Sequence, residues 1–348
     1  MAFEPGTGVL LINLGTPDAP TPQALRRYLR QFLGDPRVLV MPAIARWLLL
    51  ELVILPRRPR QSAEAYQQIW TEEGSPLLVY MAALGRAVEA ELAGPPVEIG
   101  MRYGSPSIEQ GLEKLRERGA ERFVLLPLFP QRAEAVTGSI RAECERLLGA
   151  RAQARWTEDF YQDAPFLEAW RAVAAPVLED FGADHVLLSY HGLQRSQIER
   201  SDPVGGHCLV APDCCESAAA QAGGCYRAQC FATTKGLVDA LGLDPAQTST
   251  SFQSRLGSGE WIQPYTDEVF NELAASGVRR LAVLCPAFVT DHLETLEEIG
   301  LRGAEQWRSL GGEAFQLVPC PNASPGMATA VAELARSAGP FAPAASDG

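Results

Sequence analysis

The sequence predicts an α/β fold of two similar domains, each with a mostly parallel sheet flanked by helices. Short apolar runs alternate with amphipathic stretches along the chain, which is the pattern of repeated strand–helix–strand units. The apolar runs lack the polar–apolar alternation of half-exposed strands, as expected for parallel strands covered on both faces. The two halves of the sequence also resemble each other.

The predicted strands are short runs rich in apolar residues, at 9–12, 97–103, 123–128, 186–190, 249–253 and 281–288. The spacing of apolar residues predicts helices over 107–118, 134–148, 234–241 and 266–275. Residues 8–15 align with residues 185–192, and each half continues through a helix, a turn at Gly119 or Gly277, and a second strand. One long α/β unit with chance similarity is the alternative.

The internal similarity predicts two consecutive domains. We expect an N-terminal domain over residues 1–170 and a C-terminal domain over 171–338. Residues 339–348 are rich in Ala, Pro, Ser and Gly, which is typical of a disordered tail.

Charge and composition narrow the possible partners and the compartment. The formal net charge of −12, with no basic run to offset it, argues against nucleic-acid binding. The first residues lack the basic and apolar regions of a signal peptide. The most apolar stretch, 38–55, is interrupted by Pro42, Arg46 and Glu51, which argues against a membrane span. We therefore expect a cytoplasmic, reducing location, where clustered cysteines bind metals rather than form disulfides.

The loops that follow the predicted strands are the candidate sites, because open parallel sheets bind ligands at the carboxyl ends of their strands. These loops begin at Gly15, Pro127, His191 and Ala287. His191 aligns with Leu14 of the first half, so one half offers an imidazole where the other offers an apolar side chain. Imidazole can bind a metal or accept a proton near neutral pH. A histidine that merely ends a strand is the alternative.

The last of these loops carries an acidic stretch. Asp291, Glu294 and Glu298 repeat at helical spacing, so they can share one face of a helix. Together with His292 they suit a divalent cation such as Fe²⁺, or a path for protons. Alternatively, the acidic residues only complement the dipole of a helix N-terminus, which accounts less well for His292 and Glu298.

Five of the eight cysteines form a cluster, at Cys208, Cys214, Cys215, Cys225 and Cys230. The surrounding segment, 203–231, is rich in Gly and Ala and is interpreted as an insertion. Four thiolates can hold either a [2Fe–2S] cluster or structural Zn²⁺, and free thiols are a third possibility. The remaining cysteines, Cys144, Cys285 and Cys320, are interpreted as packing residues.

Several motifs then occur in an order that resembles the ferrochelatases along nearly the whole chain. They are residues 11–18, 66–70 with 74–77, 127–131 with 137–139, 189–193, and 261–268 with 288–296. The resemblance implies two Rossmann-like domains with a porphyrin in the cleft between them, and insertion of Fe²⁺ into protoporphyrin IX to form protohaem. It also implies that His191 and Glu294 are the central pair at the substrate metal. Asp291, His292 and Glu298 would line a wall that carries metal in or protons out.

The resemblance further implies that Leu14, Trp47 and Trp261 contact the porphyrin. Residues 38–55 would form an apolar lip over it that also touches a membrane, an interpretation compatible with a buried helix. The sequence departs from the family pattern in two places. Hydroxyl-bearing residues usual in the family are partly lost over residues 132–136, and Asn13-Leu14 stands where relatives that use coproporphyrin carry an iron-binding tyrosine. The second departure favours protoporphyrin IX.

Some bacterial ferrochelatases hold a [2Fe–2S] cluster in a cysteine segment like this one. The resemblance therefore implies a cluster held by Cys208, Cys225, Cys230 and one of the adjacent Cys214 and Cys215. Two other functions stay open from the sequence. One is metal insertion into coproporphyrin or another tetrapyrrole, and the other is a non-catalytic protein that binds haem or an iron–sulfur cluster. The choice of His191 or Glu294 as the proton acceptor and the oligomeric state are also open.

Overall fold

The computed structural model describes residues 3–149, 152–202, 205–210, 213–216, 223–255 and 259–343. It divides into two compact units. Unit 1 comprises residues up to 128, residues 133–158 and residues from 328 onward, and unit 2 comprises residues 129–132 and 159–327. Neither unit is a single stretch of sequence, a feature that the expectation of two consecutive domains did not include. Parts of the predicted insertion and of the predicted tail lie outside the described residues.

In the described part of unit 1, four parallel strands form the sheet, in the order β2-β1-β3-β4. They are β1 (Thr7–Thr16), β2 (Val97–Gly104), β3 (Arg122–Pro127) and β4 (Gln153–Trp156), and a two-residue segment, Ala342–Pro343, pairs antiparallel with β4. Leu11 at the centre of β1 lies opposite Ile99 on one side and Leu126 on the other. Because β1 is covered on both faces, its residues 9–12 are fully buried, as their apolar run predicts.

Helices and π-helical turns connect these strands. They are α1 (Pro22–Gly34), α2 (Ala43–Leu48), a π-helix (Leu49–Ile54), α3 (Arg58–Ile69), α4 (Pro76–Leu92), α5 (Ile108–Glu117), a second π-helix (Glu134–Gly138) and α6 (Ser139–Leu148). Helix α5 begins with a capping box, in which Ser107 and Gln110 exchange side-chain and backbone hydrogen bonds. Both helices predicted in this unit are present, although the second opens with a π-helical turn.

The described part of unit 2 contains a second parallel sheet, in the order β6-β5-β7-β8. Its strands are β5 (His185–His191), β6 (Thr248–Gln253), β7 (Arg280–Leu284) and β8 (Ala314–Leu317). The strand predicted over 281–288 is shorter than expected and ends at Leu284, because Pro286 has no backbone N–H to donate to a neighbouring strand. Val283, Phe270 and Trp307 are buried together in the core beside the sheet.

The helices of unit 2 are α7 (Ala164–Phe181), α8 (Arg195–Arg200), α9 (Tyr226–Leu241), a 3₁₀ turn (Pro245–Gln247), α10 (Thr266–Ala275), α11 (Leu293–Thr295), a π-helix (Leu296–Gly303) and α12 (Ala304–Ser309). A further helix, α13 (Pro325–Ser337), begins in unit 2 and continues into unit 1. Two α/β units with mostly parallel sheets confirm the predicted fold class. Across the described ranges, no helix has both the length and the apolar composition needed to cross a bilayer.

Candidate active site

The predicted histidine and glutamate meet at the carboxyl edge of the unit 2 sheet. His191 is the last residue of β5, and Glu294 lies in α11, which follows β7. His191 Nε2 lies 3.6 Å from Glu294 Oε1, and each side chain is 32% exposed. The two residues are far apart in the sequence, and they come together because neighbouring parallel strands end at the same edge. A bound molecule can therefore reach both side chains.

Two further predicted residues extend this pair. His292 Nε2 lies 3.3 Å from Glu294 Oε2, so the carboxylate of Glu294 sits between two imidazoles. The ring of His292 packs edge-on against Phe288, with 4.3 Å between ring centroids. Glu298 accepts a 2.6 Å hydrogen bond from the hydroxyl of Ser254.

Asp291 has a different environment from the other acidic residues. It is buried, and its carboxylate accepts hydrogen bonds from Thr295 Oγ1 at 2.9 Å, from Asn322 Nδ2 at 2.8 Å and from the backbone N–H of Cys320 at 3.1 Å. Asn322 Oδ1 in turn accepts the backbone N–H of Asp291. These contacts anchor the loop that carries Glu294. A place for Asp291 on the metal or proton path stays a prediction.

The close approach of these groups shifts their pKa values. Burial opposes protonation of His191, but the Glu294 carboxylate, assisted by Glu298, outweighs burial and raises the pKa of His191 to about 9. Burial raises the pKa of Glu294, but the imidazoles of His191 and His292 outweigh it and hold that pKa well below its ordinary value. Burial and the charge of Glu294 raise the pKa of Glu298. At neutral pH the site thus holds an imidazolium–carboxylate pair beside a glutamate whose pKa lies above its ordinary value.

The loop after His191 is held from two sides. His191 Nδ1 donates to the carbonyl of Gly192 at 2.6 Å, and the hydroxyl of Tyr226 donates to the carbonyl of His191 at 2.7 Å. A Cβ atom at Gly192 would lie 2.7 Å from the carbonyl oxygen of Gln253 and 3.4 Å from Trp261 Cε3, so only glycine fits there. Trp261, a predicted porphyrin contact, therefore lies beside the loop of His191.

Four of the clustered cysteines lie close together. Cys208 Sγ is 3.9 Å from Cys225 Sγ, and Cys214 Sγ is 3.9 Å from Cys215 Sγ. Arg227 Nη1 donates to Cys215 Sγ at 2.9 Å. A hydrogen bond from Cys215, with backbone N–H groups of α9, outweighs burial and lowers the pKa of Cys225 to about 6. Cys225 is thus the thiol of this group that loses its proton most readily.

Cys230 has different neighbours. It is fully buried on α9, one turn after Tyr226, and contacts the hydroxyl of that tyrosine. Among the residues that the structure describes, no three His, Cys, Asp or Glu side chains are arranged as they stand to hold a metal ion. Residues 203–204, 211–212 and 217–222 of the predicted insertion lie outside the described ranges.

The other predicted porphyrin contacts, Leu14 and Trp47, belong to unit 1. Leu14 is partly buried near the end of β1, and Trp47 is 59% exposed on α2. The same segment has other exposed apolar side chains, at Val40, Ile44, Leu48, Leu52 and Val53. Leu50 and Leu55 of the same segment are buried against Leu33, so the segment has one buried and one exposed apolar side. Contacts of this segment with porphyrin or with a membrane stay predictions.

Sequence reasoning missed three residues that contact the site. They are Gln253 and Ser254, at the end of β6, and Tyr226, at the start of α9. The rule that ligands bind at strand ends could have indicated Gln253, since β6 ends there.

The two-unit α/β fold is chelatase-like. Two solved structures share the fold. SirB from Bacillus subtilis with Fe³⁺ has a TM-score of 0.54 at 15% identity, covering 95% of this chain and 94% of that one. The sirohydrochlorin chelatase SirB from Bacillus subtilis subspecies spizizenii in complex with cobalt has a TM-score of 0.52 at 13% identity, with the same coverage.

Sequence comparison gives the family. The profile described as Ferrochelatase matches residues 6–338. The ferrochelatase of Azotobacter vinelandii is 48% identical over 335 residues, covering 95% of this chain and 98% of the relative. That of Pseudomonas fluorescens is 46% identical over 334 residues, covering 95% and 97%. The chain belongs to the ferrochelatase family, the enzymes that insert Fe²⁺ into a porphyrin and whose known role is protohaem synthesis. The predicted activity is confirmed at this level.

Proposed function

We propose that this enzyme inserts Fe²⁺ into protoporphyrin IX with His191 as the proton acceptor and Glu294 as metal ligand or proton relay. The observation that carries the proposal is the 3.6 Å approach of His191 Nε2 to Glu294 Oε1 at the strand ends. The choice of porphyrin is supported by Asn13-Leu14, which stand where relatives that use coproporphyrin carry an iron-binding tyrosine. Rates of protohaem formation by variants of His191 and of Glu294 test the proposal.

The chemistry requires a base. A free-base porphyrin carries two pyrrole N–H groups, and both protons leave as Fe²⁺ takes their place, so the product is metalloporphyrin and two protons. A neutral imidazole at hydrogen-bond distance makes the loss of a pyrrole proton feasible near pH 7. His191 supplies the imidazole, and its Nδ1–H bond to the carbonyl of Gly192 leaves Nε2 to accept the proton.

The resting charges of the pair set the order of events. His191 is protonated at neutral pH because Glu294 stabilises its charged form. An Fe²⁺ ion that approaches Glu294 opposes that effect, since a nearby cation disfavours the imidazolium. The displaced proton can pass to Glu298, whose pKa is raised and whose carboxylate Ser254 orients. His191 is then neutral and can accept a pyrrole proton.

We also propose that the cysteine segment holds a [2Fe–2S] cluster. The donor set supports this, because Cys208, Cys214, Cys215 and Cys225 are buried and lie in two pairs with sulfur separations of 3.9 Å. A tetrahedral metal with bonds of about 2.3 Å to sulfur holds two ligand sulfurs roughly 3.8 Å apart. Two such pairs match the four thiolate ligands of a two-iron cluster.

The surroundings of the thiols suit the negative charge of such a cluster. Arg227 donates to Cys215, and the backbone N–H of Leu209 donates to Cys214 at 3.3 Å. Hydrogen bonds to ligand sulfurs tune the reduction potential of iron–sulfur clusters. These contacts favour both adjacent cysteines as ligands in place of Cys230, which contacts Tyr226 instead.

The absorption spectrum of the anaerobically purified protein, with iron and sulfide analysis, checks the cluster. We expect the visible bands of a [2Fe–2S] centre, and Cys225→Ser is expected to abolish them because it removes a ligand. Cys230→Ser is the matched control. It removes a buried thiol on α9, one turn after Tyr226, and it is expected to keep the bands. Loss of the bands in Cys230→Ser but not in Cys214→Ser or Cys215→Ser would overturn this ligand set. Zinc without iron or sulfide would overturn the cluster itself.

A further inference from the structure

We propose that Gln253 is a positioning residue that sets the separation of His191 and Glu294. The inference rests on the proposed function, because it concerns the same pair. Gln253 is the last residue of β6, is 3% exposed, and lies directly opposite His191 in the register of β5 and β6. It touches neither the carboxylate nor the imidazole, so its effect is exerted through the backbone of the two loops.

One residue holds both loops. The backbone carbonyl of Gln253 accepts the N–H of Gly192 at 2.8 Å, which fixes the chain immediately after His191. Its side-chain Nε2 donates to the carbonyl of Glu294 at 2.7 Å. The peptide group of Gln253 therefore holds the loop of His191, and the side chain of Gln253 holds the main chain of Glu294.

A chain of buried hydroxyl groups meets the amide oxygen of Gln253. Ser189 Oγ donates to Gln253 Oε1 at 2.8 Å. With its proton used there, Ser189 can only accept from Thr266 at 2.9 Å, and Thr266 then accepts from Ser251 at 2.8 Å. All four side chains are buried. The carbonyl oxygen of Glu294 can only accept a hydrogen bond, so the amide presents Nε2 to Glu294 and Oε1 to Ser189.

The next residue extends this arrangement to the third carboxylate. Ser254 has a φ of +68°, in the left-handed region that residues other than glycine rarely adopt. In this conformation its hydroxyl donates to Glu298 Oε2 at 2.6 Å. Held strain of this kind is common at functional sites, where it fixes the direction of a side chain.

His191 and Glu294 need this support from Gln253 because the contact between their side chains does not fix their separation. The distance of 3.6 Å between His191 Nε2 and Glu294 Oε1 is longer than a hydrogen bond. A displacement of about 1 Å at a reacting group can cost roughly 100-fold in rate.

The test compares protohaem formation by the full-length enzyme and by variants of Gln253. Gln253→Met keeps the volume but loses the bond to Glu294, and we expect kcat to fall by about 10- to 100-fold while KM for protoporphyrin IX changes less than about twofold. Gln253→Glu keeps the oxygen that accepts from Ser189 but loses the N–H₂ group that donates to Glu294, so its kcat should fall at least as far. It replaces Gln253→Met in the test if that variant does not fold. Thr250→Val is the control, because Thr250 lies on the same strand as Gln253 and the variant loses a hydroxyl contact with Thr234 of α9.

A double-mutant cycle separates positioning from a purely structural effect. If Gln253 acts through the pair, adding Gln253→Met or Gln253→Glu to Glu294→Gln lowers kcat little further. Losses that multiply, or wild-type kcat in a folded Gln253→Glu enzyme, would overturn the positioning role. Unchanged kcat in Glu294→Gln alone would instead contradict the proposed function, so the two failures are distinguishable.

Discussion

Replacement of His191 by alanine is expected to lower kcat for protohaem formation by about 10²- to 10⁴-fold, the usual contribution of a general base. His191 Nε2 is the acceptor that the site offers next to Glu294, and alanine leaves the pyrrole protons without it. Its Nδ1 also bonds to the carbonyl of Gly192, and its backbone carbonyl accepts from Tyr226, a bond that survives the substitution. Fold and porphyrin binding should therefore persist. Steady-state rates with Fe²⁺ and protoporphyrin IX under anaerobic conditions measure the loss.

His185→Gln is the matched control for this variant. His185 begins the same strand, is buried, and bonds to Ser249 at 2.8 Å, at the opposite end of β5 from the site. Its replacement should change kcat by less than about twofold even if stability falls. Equal losses of kcat in His185→Gln and His191→Ala would contradict a specific chemical role for His191.

Glu294→Gln is expected to lower kcat/KM for Fe²⁺ by about 100-fold or more, because the neutral amide neither attracts the cation nor relays a proton. The pH profile should also move. In the native protein Glu294 and Glu298 raise the pKa of His191 to about 9 against burial. The neutral imidazole is the acceptor, so the rate should rise as pH increases through that value. Without the Glu294 charge, burial lowers the pKa of His191, and the rising limb should shift to lower pH.

The pH dependence of kcat/KM for Glu294→Gln and for the native enzyme measures this shift. Glu305→Gln neutralises an exposed acidic residue on α12 and controls for the change in overall charge. An unmoved limb in Glu294→Gln, or a limb that moves to higher pH, would contradict the coupling of Glu294 to His191.

Much of the fold and the central pair could be predicted from the sequence because local rules determine them. The continuous apolar run at 9–12 predicts a fully buried strand, and residues 9–12 lie at the centre of a parallel sheet. His191 and Glu294 could be identified because strand ends carry the ligand-binding loops of open sheets. The motifs then named the family that the comparisons confirm.

The remaining features depend on contacts that no local pattern encodes. The bond from Gln253 to Glu294 joins residues 41 positions apart, and its partner is known only once β6 and β7 flank β5. The positive φ of Ser254 occurs without the glycine or asparagine that usually signals it. The π-helices that contain Glu134 and Glu298 have the same apolar periodicity as ordinary helices at this length, so the sequence predicts only a helix.

The crystal structure of the enzyme with protoporphyrin IX, prepared without iron, tests the central claim most directly. We predict that His191 Nε2 lies within hydrogen-bond reach of a pyrrole nitrogen, roughly 2.6–3.2 Å or one water molecule away, with Glu294 beside it. A bound porphyrin whose pyrrole nitrogens are reached by neither His191 nor Glu294 would contradict the account.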